Sequence, residues 1–219
     1  LIDHEGFSTL KVKNYGKTYT LYEYEPFNEQ SISFGPLVTG FLVKEDVIAT
    51  AAHFVVEGNV TDLRIVFGYK MLNNSTPVIT LPNERIYKGV QIIKRIYNRM
   101  DKDDGSNWAL IKLDRKVEGQ TIAKLSKENI FFNQPVYVLG YPRGLPLKYA
   151  AVHVQKIYKT YFSANLDNYS DHSGSPVFDS ETHEVIGMVI HGNRQDFRWT
   201  GKGMISVVYP KTKSASEES

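Results

Sequence analysis

The chain has 219 residues, a formal net charge of +2 from 26 basic and 24 acidic residues, 42% hydrophobic residues with 14 Tyr and 11 Phe, and no Cys. The missing cysteines exclude disulfides, thiolate catalysis and Cys-ligated metals, and charges of both signs spread along the chain give no footing for nucleic acid. There is no run of about 18 apolar residues to span a membrane and the opening "LIDHEGFSTLKVKNYG" lacks a signal-peptide core, so a soluble chain is expected, with secreted, periplasmic and cytoplasmic locations all open.

The apolar content is enough for a real core in a chain of this length, and all-β chains of this size are routinely single domains. In chain order the β-type runs are "YTLYEYE", "SISFGPLVTGFLV", "VIATAA", "LRIVFGY", "VQIIKRIY", "NWALIKL", "PVYVLGY", "AVHVQKIYKTYF", "GSPVF", "EVIGMVIHG" and "GMISVVY". They are rich in Val, Ile, Tyr, Phe and Thr and are separated by Gly, Pro, Asn and Asp, the pattern of sequential antiparallel strands. Helical signals are few: "TAAHFVVEG" holds room for a short turn around His53, and "TIAKLSKENIFF" for another. The tail "KTKSASEES" is small and polar and reads as disordered.

Three stretches carry residues fit for chemistry. In "VIATAAHFV" the imidazole of His53 follows two alanines at the end of an apolar strand, a place that suits either a catalyst or a satisfied turn histidine. In "GSNWALIKL" Asn107 opens a strand and faces the opposite side from Trp108; turn capping is the simpler reading of that residue alone. In "SDHSGSPVFD" Ser173 precedes Gly174, which permits a sharp backbone turn, so that peptide N–H groups around Asp171 and Ser173 can point together at a carbonyl oxygen. Ser173 is the best nucleophile candidate in the chain. The six histidines, His4, His53, His153, His172, His183 and His191, show no zinc-motif spacing, and no metal or other cofactor is implied.

Taken together and in order, "TAAH", "NWALIKL", "HSGSPVF", "EVIGMVIHG" and "GMISVVYP" resemble a trypsin-like (chymotrypsin-fold) serine protease of the bacterial cysteine-free branch, and "GYPRGLPLKYA" with "YFSANLDNYSDHSGSPVF" strengthens the match over roughly residues 30 to 210. The resemblance implies an all-β fold of two six-stranded barrels with an active-site cleft between them. It implies one peptidase domain over residues 1–210, its barrels about 1–120 and 121–210, followed by the tail 211–219. It carries the general base onto His53, the nucleophile onto Ser173 and the oxyanion hole onto the backbone N–H groups of Asp171 and Ser173. Gly192 and its neighbours would pair with an extended peptide. Asp167 would lie at the base of the specificity pocket, bordered by His191 and walled by Gly192 and Gly203, with an Arg or Lys side chain as its match; a turn-capping role suits Asp167 equally. The implied partner is a protein or peptide substrate, with neither nucleic acid nor membrane, and the oligomeric state is left open.

The chain departs from the family at four positions. Asn107 stands where the orienting aspartate is expected, and an amide there permits the wrong imidazole tautomer at a cost of about 10⁴-fold in turnover in the well-studied serine-protease case. Asp103 and Asp104, just upstream, are the substitutes within reach. Ser170 and Asp171 replace glycines, with Asp171 bringing a carboxylate toward the oxyanion, and His172 replaces the Asp or Asn expected beside the serine. The readings that follow are a serine endopeptidase impaired by Asn107, or an inactive pseudoprotease that binds peptides or proteins.

Overall fold

The computed structural model describes residues 1–34, 38–98, 105–164, 172–190 and 196–207. Two curled antiparallel five-stranded sheets form a double β-barrel. In order of adjacency the first sheet runs Gly40–Lys44, Val47–Thr50, Asn107–Leu113, Ile86–Tyr97 and Arg64–Val66. The second runs Phe162–Ala164, Lys148–Ile157, Pro135–Gly140, Pro176–Asp179 and Val185–Met188. Register shifts interrupt the pairing between Leu110 and Ile111 and between Lys112 and Leu113 in the first sheet, and between Val154 and Lys156 and between Val177 and Phe178 in the second. Such irregularities bend a strand and raise its twist, which lets a sheet close over its own core.

Alternation fills each barrel. Ala109, Ile111 and Leu113 point inward from their strand and pack with Leu42, Ile48, Val55, Val60 and Tyr87. The second core is built on Val136, Val138, Val154, Val177 and Val189. Valine suits this role because its branched side chain is stiff and fits the pleated surface, and each buried one contributes roughly 1.5–3 kcal/mol over its exposed state.

Among the described residues each sheet holds five strands where six were expected, and the N-terminal segment pairs elsewhere. Ile2–Asp3 and Phe7–Thr9 form a three-stranded sheet with Thr80–Pro82, and Val12–Asn14 pairs with Ser31–Ser33. "YTLYEYE" is not a strand. The Asn14 side chain accepts the Lys17 N–H at 2.7 Å and caps a one-turn helix, Tyr15–Tyr19, which ends at Thr20 in a left-handed conformation; beyond it only Leu21 makes a bridge, to Met204. The short turn around His53 is present as the 3-10 helix Ala52–Phe54, while residues 121–132 form no helix. The tail 211–219 lies outside the described residues. No helix among the described residues is long and apolar enough to cross a membrane.

One phenol stitches three distant segments. The Tyr69 hydroxyl donates to the carbonyls of Ser31 at 3.0 Å and Gly144 at 3.2 Å, and its burial raises the phenol pKa well above the usual tyrosine value. Removing the hydroxyl leaves both carbonyls short of a donor. Tyr69→Phe is therefore expected to lower stability by about 1–3 kcal/mol, read as a shift in the urea-unfolding midpoint at constant slope.

Candidate active site

The register of the first sheet brings His53 and Asn107 together. Ala109 pairs with Thr50, so Asn107, two residues earlier on its antiparallel strand, lies beside the turn that follows Thr50. Ala51 and Ala52 are fully buried, and their small side chains let the turn settle against the sheet. Two contacts then fix His53: its backbone N–H donates to Asn107 Oδ1 at 3.1 Å, and Asn107 Nδ2 meets its Nδ1 at 2.8 Å.

These two contacts decide the proton. A backbone N–H only donates, so the amide must offer it Oδ1, which leaves the NH₂ group facing the imidazole. Nδ1 is then the acceptor, and in the neutral ring the proton sits on Nε2. A general base needs the reverse arrangement, with Nε2 free to accept the serine proton. The ring of Phe54 flanks His53 at 4.1 Å between centroids and that of Tyr97 at 6.5 Å.

The Ser173 loop reaches the same strand end from the second barrel. Gly174 has φ +86°, and a Cβ there would fall 2.0 Å from Thr39 O and 2.7 Å from Thr50 Oγ1, so glycine alone allows this approach. The Ser173 carbonyl accepts the Thr39 N–H at 3.3 Å, the Gly174 N–H donates to Val189 O at 2.7 Å, and the Val189 N–H donates to Ser175 O at 2.9 Å. Thr50 Oγ1 donates to Thr39 O at 2.7 Å inside the same contact. Ser173 is thereby docked at the end of the strand from which the His53 turn departs.

His172 and Ser175 lie beneath this loop, against Gly140, where a Cβ would stand 2.1 Å from Ser175 Oγ and 3.0 Å from the His172 ring. His172 Nδ1 and Ser175 Oγ are buried without a hydrogen-bond partner among the described residues. Burial pushes the His172 pKa down to about 4, so the residue beside Ser173 is a neutral ring.

Other sequence expectations divide. Asp167, Asp171, His191 and Gly192, with Asp103 and Asp104, lie outside the described residues. Gly203 is buried, and its missing Cβ makes room for the backbone of Leu21 and Tyr22, with Tyr22 N 2.8 Å from where that Cβ would be. The N-terminal segment thus packs directly against Gly203. Thr39, Thr50 and Arg95, which hold the loop and the turn, went unnoticed in the sequence. The only signal for the first two was their position at the ends of apolar runs, where polar residues are common.

A model of the trypsin-like peptidase domain matches residues 38–188. The chain belongs to the trypsin-like peptidase family. Among solved structures, an inactivated protease paralogue of the scabies mite is similar at 16% identity over 84% of this chain and 86% of that one, with a TM-score of 0.54. A thermostable serine protease from an extremophilic microorganism is similar at 14% identity over 76% of this chain and 79% of that one, with a TM-score of 0.50. At these identities the likeness is one of fold. A search of curated protein sequences found no match.

The buried His172 makes stability depend on pH. Its folded-state pKa is about 4 against an ordinary 6.5, so between those values the unfolded chain binds the extra proton and the folded chain does not. Stability from this group is fully present above about pH 6.5 and is lost as pH falls toward 4, by on the order of 3 kcal/mol in all. Urea unfolding of the parent chain and of His172→Gln at steps from pH 7 to 4 is expected to show a steeper acid loss in the parent, and parallel curves would contradict this.

Proposed function

We propose that this trypsin-like peptidase is a serine endopeptidase with Ser173 as nucleophile and His53 as general base, held in a low-activity state by Asn107. The observation that carries the reading is the pair of contacts between Asn107 and His53, which keep the spacing of a catalytic dyad while reversing its tautomer. In turnover, Ser173 Oγ attacks the scissile carbonyl as its proton passes to His53 Nε2. The imidazolium then gives that proton to the leaving amine, and water hydrolyses the acyl-enzyme by the same route. The N–H groups of Ser173 and Asp171 would receive the oxyanion, Gly192 would pair with the substrate main chain, and Asp167 with His191 beside it would favour a basic side chain.

Asn107 opposes this sequence at its first step. To accept at Nε2 the neutral ring must carry its proton on Nδ1, which then points at the NH₂ of Asn107, donor against donor. The amide also brings no negative charge to stabilise the imidazolium. The same contact favours a second reading, a binding module that keeps the cleft without catalysis. The fold is compatible with both, since one of the similar solved structures is a thermostable serine protease and the other an inactivated protease paralogue.

Asn107→Asp discriminates. An aspartate in that place accepts from both the His53 N–H and Nδ1–H, so the rate of fluorophosphonate labelling at Ser173, followed by intact mass with Ser173→Ala as the blank, is expected to rise on the order of 10³–10⁴-fold. A rise of less than tenfold would favour the binding module.

A further inference from the structure

We propose that Arg95 is a positioning residue for His53: its side chain clamps the carbonyls on either side of the histidine and so fixes the turn that presents the imidazole. This rests on the reading of His53 as general base. Arg95 Nε–H is shared between Val55 O at 2.7 Å and Ala52 O at 3.1 Å. A 3-10 turn of three residues leaves most of its carbonyls without a partner of its own. Here the Val55 N–H reaches Ala52 O at 3.1 Å, and Arg95 supplies the further donor, from a charged group and across the turn's exit.

The sheet register places this arginine. Tyr97 pairs with Asn107 and Arg95 with Ala109, and alternate residues of a strand share a face, so the four form one platform under the turn. Ala109, fully buried, keeps the platform low. Asn107 holds the turn by the His53 N–H and ring, and Arg95 holds it by its carbonyls. The Arg95 guanidinium in turn stands 5.4 Å over the Tyr97 ring, which orients it. Lysine offers neither the planar fork nor a donor at the Nε position, so it does not replace this contact.

The test compares Arg95→Met, which keeps the stem, and Arg95→Lys, which keeps the charge. Arg95 is solvent-exposed as a residue, so neither change empties the core. In the Asn107→Asp chain both are expected to slow fluorophosphonate labelling by about 10–100-fold, the scale of an ångström-sized misplacement. In a chain that also carries His53→Ala they are expected to have no further effect. Unchanged labelling, or an equal loss with and without His53, would overturn the proposal. A second readout needs no activity: in nitrogen-15 spectra of histidine-labelled but otherwise unsubstituted chain, the His53 ring is expected as a single Nε2–H tautomer, giving way to a mixture in both variants. An unchanged ring pattern overturns the clamp whether or not any chain labels. A changed pattern in chains that never label supports the clamp and counts against the protease reading instead.

Discussion

The approach of Gly174 to Thr39 and Thr50 is the contact on which the site depends. It joins a turn of the second barrel to a strand end of the first, with no side chain between and with the buried Thr50 hydroxyl holding the Thr39 carbonyl in place. Three residues beyond Thr50 is His53, and one residue before Gly174 is Ser173. Each barrel has its own valine- or isoleucine-rich core, but what brings Ser173 and the His53 turn to one edge is this glycine-only seam. Any Cβ at Gly174 would push the barrels apart at the point where their alignment decides the chemistry, and the left-handed backbone there would be strained as well.

Within the site, the orientation of one amide follows from a group that cannot change roles. The His53 N–H needs an acceptor, and the neighbouring position supplies one whether it holds an aspartate or an asparagine. The difference is felt at the next atom. A carboxylate would offer a second acceptor to the imidazole, whereas the amide offers a donor and turns the ring's proton outward. Hydrogen-bond geometry around His53 thus tolerates asparagine at position 107, while the ring proton it favours is the reverse of the one an aspartate there would favour.

Much of the fold was legible in the sequence because strand alternation and turn residues are local signals: "NWALIKL" and "PVYVLG" form strands as their patterns suggest, and the turn at Ala52–Phe54 follows from paired alanines before His53. The run "YTLYEYE" was misread: the helix Tyr15–Tyr19 takes its first residue, Thr20 ends that helix in a left-handed conformation, and Leu21 alone finds a bridge partner, Met204, far off in sequence. The packing at Gly203 was not legible for another reason. Its neighbours are Leu21 and Tyr22, far off in sequence, and no local pattern announces that a distant backbone will lie against a glycine. Arg95 escaped for the same cause: in the sequence it is one basic residue among several on a long strand, and its partners are carbonyls, which carry no residue identity.

The distribution of charge around the nucleophile departs further from expectation than its packing does. His172, beside Ser173, is held neutral by burial, and Asn107 carries no charge, so the two places where an anion would be sought in this family hold uncharged side chains. Arg95 nonetheless presents a guanidinium to the carbonyls that flank His53. The geometry around position 107, with the His53 N–H and ring converging on it and a cation bound to the same turn, is that of a carboxylate site. Its donors would hold an anion there in its charged form, and asparagine occupies it only by inverting the imidazole.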